Sequence, residues 1–325
     1  MAAPPGFSLI RQHDDPQRRL NAWRQNVGAP VALDLPGSAG GTNPTSLLVL
    51  SWNVWIGRGR LREVISRIQN GDYSEQGADP TLPIVVLLQE AYRSDHSIPP
   101  VPSGEAGRIL MAQTGPQEDV VETARKLSLS LRYAPSMRNG GLPSDRGNAI
   151  LSSLELRDAH AFELPLVLQR RVAVTAQVTL GGQTLRLISA HLDPRGPPGP
   201  QWFGVAGREL QARHLVASVQ DETVVLGADL NLGRGRYEPA WRLLVESGYT
   251  FEVPPSTPPW RHTFHALPRL VLDYLLVRNG QGAVRQARVR RLDEHPLDRG
   301  ARVFGSDHHP LLARIDLQPS TKETR

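Results

Sequence analysis

Cysteine is absent from the 325-residue chain. That excludes disulfides, thiolate metal sites and a cysteine nucleophile. Lysine is nearly absent as well: Lys126 and Lys322 are the two lysines among 37 basic residues. The formal charge of +5 is therefore carried by arginine, and no block of like charges marks a nucleic-acid-binding tail. There is no run of 18 apolar residues, so no membrane-spanning helix is expected. The opening stretch MAAPPGFSLIRQHDD has no basic region followed by an apolar one, so no secretory leader is visible and a cytoplasmic location is expected. No internal repeat of solenoid length is found. At 39% hydrophobic and 21% charged residues, the chain is long enough and apolar enough to bury a large core.

Residues 1–45 are rich in proline, glycine and polar residues, which predicts a flexible extension with RRLNAWRQNV as one short helix. From Ser46 the pattern becomes regular. SLLVLSWNVW and PIVVLLQE read as buried strands ending at Asn53 and Glu90. RLREVISRIQ has Leu61, Val64, Ile65 and Ile68 at helical spacing, and EDVVETARKLSL reads as a second helix. LRYAPS, NAILSSLEL, RRVAVTAQVTL and QTLRLISAHLD follow as strands, the last two joined by a Gly181-Gly182 hairpin turn. A loop at 193–204, a helix at 205–221, the strand TVVLGADLN, the helix EPAWRLLVESG and the strand VLDYLLVR come next. A final strand pair brackets an Asp307-His308 loop and ends in LLARIDLQ. Hairpins mixed with αβ crossovers predict an α/β (α+β) fold with two mixed β-sheets packed face to face and helices outside. Residues 46–318 form one domain in this reading, 319–325 a tail, and a monomer is expected.

Buried strands that end in polar groups are the functional signal, because ligand sites favour strand ends and the loops beyond them. Here the set is Asn53, Glu90, His191, Asp229 with Asn231, Asp273, and the Ser306-Asp307-His308-His309-Pro310 segment. Each has a bland alternative: a helix cap, a surface ion pair, an Asx turn, a satisfied core histidine. Together they match what phosphate-ester hydrolysis needs. Hard oxygen ligands from Asn53, Glu90 and Asp307 suit Mg²⁺ or Mn²⁺. Asp229 and Asn231, two residues apart, can orient one water for in-line attack. His308 held by Asp273 can act as a base or a cationic clamp, and His191 can bind a non-bridging oxygen.

The motifs SWNVW, LLQE, GNAILS, SAHLD, GADLN, LDYLLV and SDHHP stand in the order found in the endonuclease/exonuclease/phosphatase superfamily. The resemblance runs from about Leu47 to Leu317, and GADLN and SDHHP are its most specific pieces. It implies a four-layer α/β sandwich and a divalent-metal-dependent phosphoester hydrolase, of phosphodiesterase or nuclease type. It implies a metal role for Asn53, Glu90 and Asp307, and a catalytic role for His191, Asp229, Asn231, Asp273 and His308. Asn148 of GNAILS is implied at the substrate. His191 stands where the deoxyribonuclease branch has histidine and abasic endonucleases have tyrosine, which argues against an abasic-site enzyme.

The ester itself is less legible. Arg234 and Arg171 are candidate phosphate-binding residues, with Arg170 beside the latter; solvated or edge-strand arginines are the alternative. Trp202 and Phe203, in a Pro/Gly-rich loop after His191, either stack a base, touch a lipid or staple the loop down, and stapling is the expectation. His262 and His265 read as loop residues. Substrates therefore range from nucleic acid to lipid or small-molecule phosphoesters of the sphingomyelinase or inositol-phosphatase kind. A non-catalytic binding protein on the same fold would be expected to lack one of Glu90, Asp229, Asn231 or His308, and all four are present.

Overall fold

The computed structural model of the chain describes residues 7–10, 17–35, 44–104, 115–219, 222–250, 262–280, 282–294, 300 and 302–319. In chain order the elements are β1 (Phe7–Ile10), α1 (Gln17–Arg24), β2 (Val31–Leu33), β3 (Ser46–Asn53), α2 (Leu61–Gln69), β4 (Ile84–Ser94) and α3 (Val120–Lys126). Then come β5 (Ser130–Arg138), β6 (Ser144–Ser152), β7 (Arg157–Glu163), β8 (Val172–Leu180), β9 (Gln183–His191) and α4 (Val205–Ala217). The last are β10 (Thr223–Asp229), α5 (Pro239–Glu246), β11 (Tyr249–Thr250), β12 (Asp273–Asn279), β13 (Val284–Arg291) and β14 (Leu311–Leu317). One sheet runs β1-β7-β8-β9-β10-β12-β11 and the other β13-β14-β3-β4-β6-β5-β2. Among the described residues, no helix is long and apolar enough to cross a membrane.

The central strands are apolar on both faces because both faces are covered. In β3, Leu47 and Val49 point to the other sheet, meeting a core that includes Val174, Leu187, Val225 and Leu275. Their neighbours Leu48, Leu50 and Trp52 point the opposite way, toward Val64, Ile65 and Ile68 of α2. In the facing sheet, Ile188, Leu226 and Ala228 pack outward on Leu215 of α4 and Leu244 of α5. Period-two alternation in each strand thus builds a four-layer α/β sandwich.

Four expectations need correction. PIVVLLQE does not end at Glu90: β4 continues to Ser94, and its pairing to β6 shifts register between Leu88 and Ala91. Glu90 sits in that bulge with φ +54°, so an irregularity inside a strand aims its side chain, not a strand end. NAILSSLEL is not one strand. β6 stops at Ser152, whose Oγ accepts from Leu154 N at 2.9 Å, and the chain then crosses to the other sheet as β7. The predicted helix at 205–221 ends at Ala217. Within the predicted flexible extension, Leu20 and Trp23 of α1 are buried, Arg24 pairs with the buried Glu163, and β2 adds to β5 as an edge strand. Residues 17–35 are therefore packed against the domain. The Gly181-Gly182 turn joins β8 to β9 with both residues at positive φ, as a two-residue hairpin requires.

Candidate active site

The polar strand ends meet at one end of the sandwich. Parallel pairing puts Asp229 of β10 beside His191 of β9, and antiparallel pairing puts it beside Asp273 of β12. From the opposite sheet, Asn53 at the end of β3 donates through Nδ2 to Asp229 Oδ2 at 2.9 Å. A second tie lies just behind: Gln89 Nε2 reaches Gly227 O and Ser189 Oγ, each at 3.2 Å. That close approach needs Gly227, where a Cβ would stand 2.6 Å from Ser51 Oγ.

His308 arrives on the loop before β14. Ser306 Oγ donates to Asn53 O at 2.7 Å and accepts from His308 N at 3.0 Å, while Trp52 Nε1 donates to His308 O at 2.8 Å. The imidazole Nδ1 lies 2.7 Å from Asp273 Oδ2, and Nε2 lies 3.9 Å from Asp229 Oδ2. Asp229 is further surrounded by His191 Nε2 at 3.3 Å and by the backbone N–H of Asn231, which donates to Oδ1 at 3.0 Å. Asn231 has φ +52°, and its own amide is tied to Leu192 O at 3.0 Å.

These contacts set the charges. Burial raises Asp229 well above the ordinary carboxylate range, reinforced by Asp273 and opposed by His308. For His308, burial disfavours the cation, but Asp273, Asp229 and Asp307 outweigh it and raise the imidazole to about 10. His191 is pushed well below its ordinary value by burial, then by Arg171, His308 and Arg146, and so is neutral. Asp307 is raised to about 6 by burial, with the Glu90 carboxylate adding to the rise.

Asn53, Glu90 and Asp307 offer oxygen donors of the kind a hard cation takes. Asp307 Oδ1 is buried and accepts no hydrogen bond among the described residues. Glu90 is close enough to add to the rise of Asp307, and two such carboxylates are oxygen donors of the kind Mg²⁺ or Mn²⁺ takes.

The substrate candidates fare unevenly. Arg171 is close enough to His191 to depress it, while its Nε is held by Asp193 Oδ1 at 3.0 Å. Arg170 does not reach the cluster: it is buried against Glu163, Pro135 O and Ser136 O. Asn148 spends its amide bridging the sheets, donating to Val172 O at 2.7 Å and Ser189 O at 3.4 Å. Arg234 lies exposed in the turn beyond Asn231, outside the buried cluster. Phe203 is 75% exposed, whereas Trp202, 43% exposed, carries Arg195 4.2 Å from its ring centroid, and Arg208 donates to Phe203 O at 2.8 Å.

Several neighbours escaped the sequence reading. Arg146, buried one residue before GNAILS, faces Glu90, whose charge favours the cation while burial opposes it. Trp55 turns out of SWNVW at φ +44° and is flanked by Arg58 and Arg302, 4.7 and 4.9 Å from its ring. His262 and His265 lie in irregular backbone, as expected, but are buried beside His309. An HxxH spacing at His262 and His265 was the available signal.

Solved structures share the fold. A family protein from Leptotrichia buccalis C-1013-b aligns with a TM-score of 0.53 at 13% identity, over 84% of this chain and 99% of that one. One from Beutenbergia cavernae DSM 12333 scores 0.54 at 17% identity, over 84% of this chain and 72% of that one. The human Nocturnin catalytic domain, with a bound sulfate anion, scores 0.54 at 15% identity, over 89% and 98%. No curated protein matches the chain by sequence. The sequence profile of one family, however, spans residues 50–308 and so takes in every strand end described above, from Asn53 to His308. On that match the chain belongs to the endonuclease/exonuclease/phosphatase family.

Proposed function

We propose that the chain is a divalent-cation-dependent phosphodiesterase that cleaves its ester by in-line attack of water. Family membership supports a metal-dependent phosphoester hydrolase, phosphatase or nuclease. The finer reading rests chiefly on one observation: the 2.7 Å Asp273–His308 pair faces Asp229 across 3.9 Å, with His191 and Asn53 on the same carboxylate.

In this reading Asp229 orients the attacking water. Its raised pKa makes it basic enough near neutral pH to accept the proton that water loses. His308, held as a cation by Asp273, meets the charge that builds on the phosphoryl oxygens. Neutral His191 and the Asn231 backbone fix the Asp229 carboxylate, and Arg146 and Arg171 keep the pocket positive. Asn53, Glu90 and Asp307 would hold Mg²⁺, which when bound supplies charge neutralisation at the phosphoryl and leaving oxygens.

Hydrolysis of bis(p-nitrophenyl) phosphate tests this directly. Mg²⁺ should support turnover and EDTA abolish it. Asp229→Asn and His308→Ala should each lower kcat by about 10²–10⁴-fold while leaving the circular dichroism spectrum unchanged. Rates indifferent to EDTA, or untouched by either substitution, sink the proposal.

A nucleic-acid backbone is the favoured ester, because Arg58 and Arg302, 4.7 and 4.9 Å from the Trp55 ring, set two cations and an aromatic just beyond Asn53. A lipid phosphodiester is the second reading, favoured by exposed Trp202 and Phe203 on the loop after β9. Single-stranded DNA, RNA and sphingomyelin vesicles assayed side by side with Trp55→Ala and Phe203→Ala separate them. Loss on nucleic acid in the first variant favours the nuclease, and loss on vesicles in the second favours the lipid.

A further inference from the structure

Three imidazoles converge behind the loop that carries His308. His262, His265 and His309 are 6%, 6% and 1% exposed, and one ring nitrogen of each lies within 4.8 Å of the others. His265 Nδ1 faces His309 Nε2 at 3.0 Å. On its other side, His309 Nδ1 lies 2.8 Å from Asp293 Oδ1 and 3.2 Å from Leu292 O, so Nδ1 carries the hydrogen and Nε2 turns a lone pair inward. Arg291 holds the same carboxylate at 3.0 Å. A carboxylate behind an imidazole is the arrangement that orients a metal-ligating histidine.

His262 supplies the second, independent observation. Both of its ring nitrogens are buried without a hydrogen-bond partner among the described residues. A neutral imidazole must carry one N–H, and leaving such a donor buried and unsatisfied is unfavourable. Nothing in the phosphoester site makes use of this ring. Its centroid stands 5.7 Å from that of His265 and 5.1 Å from that of His309, so it closes the third side of the cluster.

We propose that His262, His265 and His309 bind a divalent transition-metal cation of the Zn²⁺ class, at a site separate from Asn53, Glu90 and Asp307. Imidazole donors suit Zn²⁺ and its neighbours, whereas Mg²⁺ takes oxygen. Tetrahedral bonds of about 2.0–2.1 Å put ligand nitrogens roughly 3.4 Å apart, close to the spacing of the His265–His309 pair. The bound cation staples together the two segments that flank the phosphoester site. His265 N donates to Asp307 O at 2.6 Å, His309 N donates to Thr263 O at 2.8 Å, and Thr263 Oγ1 accepts from Asp273 N at 2.9 Å. The cation binds whether or not the chain hydrolyses phosphoesters.

The test is metal content and cobalt absorption on the full chain. Wild type, Glu90→Gln, Asp229→Asn, His262→Ala and His265→Ala are loaded with Zn²⁺, dialysed and assayed by mass spectrometry of the metal. Parallel samples are loaded with Co²⁺ and read by the visible absorption of its tetrahedral complex. One zinc per chain is expected in wild type and in both carboxylate variants, with affinity reduced about a hundredfold or more in each histidine variant. Near-UV circular dichroism checks each fold, and His262→Gln replaces the alanine variant if that one unfolds. Substoichiometric zinc in folded wild type overturns the proposal. So does zinc retained in the histidine variants, or zinc lost from Glu90→Gln or Asp229→Asn, because the cation would then sit in the phosphoester site.

Discussion

His308 keeps a proton in the folded chain that it would release when unfolded at neutral pH. Its folded pKa stands at about 10 against an ordinary 6.5. The pair with Asp273 therefore adds its full stabilisation below about pH 6.5, and that gain is lost as pH rises through about 10. Between those limits one extra bound proton lowers stability by about 1.4 kcal/mol per pH unit. Urea unfolding in EDTA at pH 7, 8 and 9 should show this decline in wild type, and His308→Gln should flatten it by close to one proton. An unchanged slope would mean that His308 is neutral and that the clamp role fails. At this scale the sequence was informative wherever a polar residue stands at the end or start of an apolar strand, as at Asn53, His191 and Asp229, and at Asp273. It was silent on Arg146 and Arg58, whose neighbours are set by tertiary contacts that leave no local pattern.

At the scale of elements, irregular strands do the positioning. Glu90 is aimed by a bulge that contains no glycine or proline to announce it, so apolar periodicity reads it as a strand terminus. The mirror case is Gly147, opposite a bulge in β5, where an added Cβ would stand 1.9 Å from Ala134 O. Backbone cannot yield as a flexible side chain can, so Gly147→Ala should cost about 3 kcal/mol or more, the upper end of overpacking penalties. Thermal unfolding measures it. Loss below about 1 kcal/mol would show that the two strands separate easily there. The short strands β1, β2 and β11 went unseen because two to four residues are too few to display a period, and β7 because RDAHAFE carries few apolar residues to mark it.

For the whole molecule, the N-terminal segment is the main revision. Leu20 and Trp23 bury apolar surface, and Arg24 shares Glu163 with Arg170. Burying two large side chains is worth about 3–6 kcal/mol. Removing residues 1–30 should therefore lower the unfolding free energy by several kcal/mol while metal-dependent turnover survives below the new midpoint. Unchanged stability on truncation would restore the picture of a dispensable leader. The layer architecture, by contrast, was readable, because central strands that are apolar throughout must be covered on both faces.

Half of the candidate site stands on β3, β4 and the loop before β14, and half on or just beyond β9, β10 and β12. The Asn53–Asp229 bond spans the divide. Catalysis is thus a coincidence detector: neither half-sandwich, however well formed, can report a signal until the two have docked in register. Recovery of turnover during refolding should trail the return of secondary structure and coincide with closure of the seam.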